Sequence, residues 1–152
     1  MKTCRGLALI VLLLVASSFR ERMHAQGPGA SADAKRFVGT WKLISDTTTG
    51  IMIYDSLGNM AAKVMPNRPR AKFVGAQPTP EEAKDAITGY LAYFGTYTVD
   101  DKMHIVTHHR KGNINPGQVN DDVVRAYVWG ESDRLILTPA GSTNQIIWER
   151  AK

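Results

Sequence analysis

The sequence predicts an all-β fold, an eight-stranded antiparallel meander barrel with one inserted α-helix. Two observations carry this expectation. Short runs rich in β-branched and aromatic residues recur from residue 37 to residue 150 with turn signals between them, and such runs at hairpin spacing pair antiparallel in chain order. A single stretch after residue 79 switches to helical spacing. The 152 residues suffice for one domain with one core.

The elements follow in order. "VGTWKLIS" (38–45) is the first strand. "IMIYD" (51–55) and "MAAKVM" (60–65) flank "SLGN", a glycine-containing hairpin loop. "PNRPRAKFVGAQP" (66–78) carries three prolines and is a connection. The helix then begins with Thr79 as N-cap, Pro80 in the first helical position and Glu82 placed to complete a capping box. Ala83, Ile87, Tyr90, Leu91 and Phe94 form one apolar stripe, predicting a helix that covers the core with one face. "YFGTYTV" (93–99) and "MHIVTHHRK" (103–111) are strands joined through Asp100, Asp101 and Lys102. "GNINPGQVND" is a loop, and "DVVRAYVW" (122–129), "RLILTP" (134–139) and "NQIIWER" (144–150) complete the set.

The domain is expected to span residues 37–152, after a signal peptide at 1–25 and a flexible linker at 26–36. Lys2 and Arg5 precede an apolar run from Leu7 to Val15, followed by Ala16, Ser17 and Ser18. That is the order of a secretory signal, cut after Ser18 or Ala25, and the run is too short to cross a bilayer as a mature helix. The expected location is secreted or periplasmic, with no stable membrane insertion after processing. Removing residues 1–25 takes four basic residues and one acidic residue, and lowers the formal charge from +5 to +2. A near-neutral domain does not carry a nucleic-acid footprint. The one cysteine, Cys4, leaves with the signal, so the domain must be held by packing without disulfides.

"FVGTWKL" places a Gly-x-Trp on the first strand, and "IIWER" ends the last strand on Arg150. Together with "GNMAAKVM", "GYLAYFGTYTVD", "VTHH" and "NPG", this ordered set resembles the bacterial lipocalin-like domain proteins, of the calycin barrel type. The resemblance covers about residues 37–150. It implies a barrel with an internal cavity, closed at one end by Trp41 beneath Arg150, with Gly39 allowing close backbone approach. Arg110 and Lys111 stand where an apolar residue and an acid are more usual in that family, which implies a more basic rim.

Three of the four histidines fall between Met103 and Arg110. Side chains alternate along a strand, so His108 and His109 face opposite ways. His104 and His108 share a face but lie roughly 13 Å apart, too far for one metal ion. No metal site and no cofactor are expected. If Glu131, Ser132 and Asp133 form a three-residue loop, Trp129 faces Leu135 and Tyr127 faces Leu137, an aromatic face suited to the interior. Arg125 then points inward as well. A two-residue turn at Asp101-Lys102 puts Tyr97, Val99, His104, Val106 and His108 on one face, with His109 outside.

The expected site is a polar cluster inside an apolar barrel, formed by Tyr54, Tyr97, His108, Arg125 and Tyr127. A buried guanidinium demands an anionic partner, either a ligand or an internal acid such as Asp46 or Asp55. Met52, Met60, Met65 and Met103 are either core or an adaptable pocket lining. The basic loop with Arg68, Arg70 and Lys72 is either a flap or a solvated connection. No nucleophile motif or phosphate-cradling glycine loop is present. The function expected first is binding of a small, largely apolar molecule with an anionic or polar group. A cyclase- or isomerase-type enzyme with His108 as acid–base group is a second reading, and a filled barrel acting through its surface is a third.

Overall fold

The computed structural model describes residues 31–152. The expected signal peptide and the first part of the expected linker lie outside these residues. The chain forms a closed barrel of eight antiparallel strands in sequence order. They are β1 (Gly39–Ile44), β2 (Thr48–Tyr54), β3 (Asn59–Pro66), β4 (Leu91–Asp100), β5 (Ile105–Asn113), β6 (Asp122–Gly130), β7 (Arg134–Pro139) and β8 (Ile146–Arg150). Closure comes from β1 pairing with β8, where Trp41 is opposite Arg150 and Leu43 opposite Trp148. All expected strands are present, with ends shifted by a few residues.

Two short helices accompany the barrel. The first, α1 (Ala32–Phe37), corrects the expectation of a flexible linker through residue 36. Ser31 is its N-cap, accepting from the Ala34 amide, and the Ser31 hydroxyl also donates to Asp101 at 2.7 Å. The helix presents Phe37 to the barrel interior, where the ring meets Tyr54 and Tyr127 edge-on at 5.3 and 5.0 Å. Such aromatic pairs add about 0.5–1.5 kcal/mol each beyond area burial.

The second helix, α2 (Pro80–Ile87), has the expected capping box between Thr79 and Glu82. It is shorter than its apolar stripe suggested and buries no residue, with Ile87 59 % exposed. The stripe fails because it crosses an element boundary. Gly89 takes φ +74°, where the chain leaves the helix, and Leu91 and Phe94 already belong to β4.

The register of β4 and β5 sets the interior. Tyr97 pairs with His108 and Val99 with Val106, as alternation predicted. Asp100 pairs with Ile105, however, so the connection is four residues long and His104 sits in it with φ +52°, off the strand. A register shift at Phe94/Gly95 inserts one extra residue in β5. The β6–β7 loop has the three expected residues, with Gly130 opposite Arg134.

Candidate functional site

The interior divides into a sealed end and an open mouth. At the sealed end, β1 begins and β8 finishes. The Arg150 guanidinium carbon lies 4.3 Å from the Trp41 ring centroid. Its three nitrogens donate to the Val38 carbonyl at 2.9 Å, the Arg36 carbonyl at 2.7 Å and the Asp133 carboxylate at 2.6 Å. Trp41 Nε1 donates to the Phe37 carbonyl at 2.9 Å. Gly39 takes φ +143°, and any Cβ there would collide with the Arg150 guanidinium. Gly39, Trp41 and Arg150 therefore meet at this end of the barrel. Asp33 of α1 accepts from the Tyr127 hydroxyl at 2.7 Å and from Trp129 Nε1 at 3.0 Å.

At the opposite end a cavity of about 450 Å³ opens between the strand termini. Its walls are mainly apolar, with Leu43, Met52, Val64, Leu91, Leu137 and Trp148 prominent, and Tyr93 and Arg125 supply polar groups. This volume suits one small organic molecule. A hollow of about 610 Å³ between residues 70–73 and α2 lies outside the barrel. There Arg68 pairs with Asp85 at 2.6 Å and Arg70 donates to the Ala86 carbonyl, so the basic loop is tied to α2.

Behind the cavity wall, Tyr93 and Arg125 both reach His108, which is fully buried. Its Nε2 is 2.6 Å from the Tyr54 hydroxyl. Its Nδ1 is 2.8 Å from the Tyr93 hydroxyl and 3.0 Å from Arg125 Nη1. A guanidinium can only donate, so Nδ1 is the unprotonated acceptor and Nε2 carries the proton toward Tyr54. Burial, and then the adjacent Arg125, hold the His108 pKa well below the ordinary histidine range. Burial likewise raises the Tyr54 and Tyr93 phenols, against the opposing pull of Arg125.

The five expected site residues thus separate into two groups. Tyr54, His108 and Arg125 form one connected network. Tyr97 donates to the Asp55 carbonyl at 3.0 Å, and Tyr127 is held by Asp33, both toward the sealed end. Burial and the nearby Asp55 raise the Tyr97 pKa to about 12. Tyr93 completes the network and was missed from the sequence. It shares strand parity with Tyr97 in the expected 93–99 strand, and that parity could have found it.

Several further expectations resolve here. His109 faces outward, between Asp122 at 2.8 Å and Thr98 at 3.1 Å. His104 does not share the face of His108; it lies in the turn, 3.9 Å from Asp33. Asp55 caps the β2–β3 turn through the Leu57 and Asn59 amides, so it is not a partner for Arg125. Asp46 is exposed. Among the described residues no carboxylate lies within ion-pair distance of Arg125, whereas Arg110 pairs with Asp121 at 3.0 Å. The basic rim is therefore weaker than expected, since Arg110 is compensated. Met52 and Met60 are buried and Met52 lines the cavity, but Met103 is exposed. Trp148, another cavity residue, has a buried indole N–H with no partner among the described residues.

Among the described residues, no cluster of three potential metal ligands occurs and no helix is long and apolar enough to cross a membrane. No curated protein matches the chain. The model of a lipocalin-like domain family matches residues 38–151, which takes in all eight strands. The sealed and hollow barrel described above is thus that of a chain belonging to the lipocalin-like domain family.

Proposed function

We propose that this barrel binds one small, largely apolar molecule carrying an anionic or polar group. The observation that carries the reading is a mainly apolar cavity with Arg125 in its wall and no acid beside it among the described residues. General lipocalin-like membership supports small-molecule binding without naming the ligand. An acid–base enzyme of the cyclase or isomerase type fits less well. Both His108 nitrogens are engaged, and its depressed basicity suits it poorly as a proton acceptor near neutral pH. A filled barrel acting through its surface is disfavoured by the cavity volume of about 450 Å³. The proposal that it works outside the cytoplasm, secreted or periplasmic, rests on the amino-terminal order of residues 1–25.

The test fills the cavity. Ala62 is buried and lines it. The wild type should enhance the fluorescence of N-phenyl-1-naphthylamine, a small apolar dye, on titration. Ala62→Phe, with its fold checked by circular dichroism, should lose roughly tenfold or more in affinity. Equal dye binding by both proteins would place the ligand elsewhere and reject the reading.

A further inference from the structure

We propose that the ligand's polar head is a single carboxylate received by Arg125 and Tyr93, and that His108 is a positioning residue that aims both donors without touching the ligand. This rests on the cavity being the ligand site.

The argument begins with a donor count. His108 Nδ1 has one in-plane lone pair. Two donors approach it, the Tyr93 hydroxyl at 2.8 Å and Arg125 Nη1 at 3.0 Å. The two compete for it, and both residues line the cavity. Trp148 adds an indole N–H without a partner among the described residues. Ser45, Thr48 and Gln145 also line the cavity, so its bias toward an acceptor rests on Arg125, which can only donate.

Charge narrows the class. Arg110 is compensated by Asp121, while Arg125 has no carboxylate within ion-pair distance among the described residues. One uncompensated positive charge matches one negative charge. The planar guanidinium fork fits the two oxygens of a carboxylate, with the Tyr93 hydroxyl as a further donor. The surrounding Leu43, Val64, Leu91 and Leu137 suit an aliphatic body. The ligand class is therefore an aliphatic monocarboxylate.

His108 is well placed to aim these donors. Tyr54 holds its Nε2 from the far side at 2.6 Å, so the ring cannot readily turn. The charged and titratable groups bearing on it are Tyr54 from β2, Tyr93 and Tyr97 from β4, Arg125 from β6, and Arg110 and His109 along β5. None is an acid, so nothing in that set would hold an imidazolium. A neutral acceptor at this position steadies Arg125 without competing for the ligand's charge.

The experiment titrates dodecanoate, dodecan-1-ol and dodecyl phosphate into wild type, His108→Gln, His108→Leu and Tyr93→Phe between about pH 6 and pH 8. Wild type should prefer dodecanoate over the alcohol and the phosphate, with affinity nearly flat in pH. Tyr93→Phe should weaken dodecanoate binding about fivefold and His108→Leu roughly tenfold or more. His108→Gln, whose amide oxygen can accept from Arg125, should restore most of the loss. Nitrogen-15 NMR of the wild-type imidazole should show Nδ1 unprotonated across the range, a readout independent of how well the leucine variant folds. Unchanged dodecanoate affinity in His108→Leu overturns the proposal. So does a steep gain on acidification that vanishes in His108→Gln, because the imidazolium would then be touching the anion. Dye uptake without dodecanoate binding overturns this proposal alone, and failure of both overturns the cavity reading beneath it.

Discussion

At the sealed end, Asp33 accepts from both Tyr127 and Trp129, and the three nitrogens of Arg150 each find an oxygen. At the mouth, one lone pair on His108 faces two donors, and Arg125 has no acid beside it among the described residues. The two ends draw on the same residue types, tyrosine, tryptophan and arginine. They differ in whether acceptors keep pace with donors. Where they match, buried polar groups fix a unique packing. Where donors exceed acceptors, the structure holds polarity in readiness for something brought from outside. An inventory of aromatic and cationic side chains would not separate these cases; the hydrogen-bond accounting does.

The comparison breaks most visibly at Phe37, which is fully buried against Tyr54, Tyr97, Tyr127 and Trp129. Phe37→Ala should cost about 3–5 kcal/mol in urea unfolding. A loss below about 1 kcal/mol would mean that α1 is an ornament on a barrel stable without it.

A smaller effect sits at His108 and depends on pH. Its folded-state pKa is depressed, whereas the unfolded chain titrates near pH 6.5. Below that value the unfolded chain takes up a proton that the folded chain refuses, so acidification favours unfolding. The contribution is fully present above about pH 6.5 and is lost as pH falls toward the folded pKa, at up to about 1.4 kcal/mol per pH unit. His108→Gln should remove this component, and the two stability curves from urea midpoints should converge as pH drops. Parallel curves would show that the imidazole already ionises freely in the fold.

The smallest expected change in stability is at Arg125. Arg125→Met removes an uncompensated charge while keeping much of its aliphatic stem, so thermal unfolding should stay within about 0.5 kcal/mol of wild type or improve slightly. A loss above about 2 kcal/mol would place Arg125 with Arg150 among the structural cations and dissolve the contrast between the two ends.

Much of this architecture was readable from residue order. Alternation placed Tyr97, Val106 and His108 on one face, and the three-residue loop at 131–133 set Arg125, Tyr127, Leu135 and Leu137 inward. Period-two patterning works wherever a strand has one wet face and one dry face. It failed where two periods overlap. Tyr90, Leu91 and Phe94 extend the helical spacing of Ala83 and Ile87 by coincidence, although β4 starts at Leu91. The α1 segment was hidden because "SADAKRF" is short and follows small residues; its one cue was Ser31, a good N-cap before Asp33. The division of the five expected site residues depends on three-dimensional distances. Strand parity says that Tyr54, Tyr97 and Tyr127 point inward, but not how deep each lies.

One geometric consequence concerns attachment. The chain reaches the barrel through α1, where Ser31 is bonded to Asp101 in the β4–β5 turn, and it departs from β8 beside Trp41. Entry and exit share one pole, and the cavity faces the other. A tag, a fluorescent fusion or an immobilising surface joined at Lys152 or directly before Ser31 would therefore leave the mouth unobstructed. A short peptide bridging Lys152 to Ser31 would convert the domain into a cyclic chain while sparing every strand pairing.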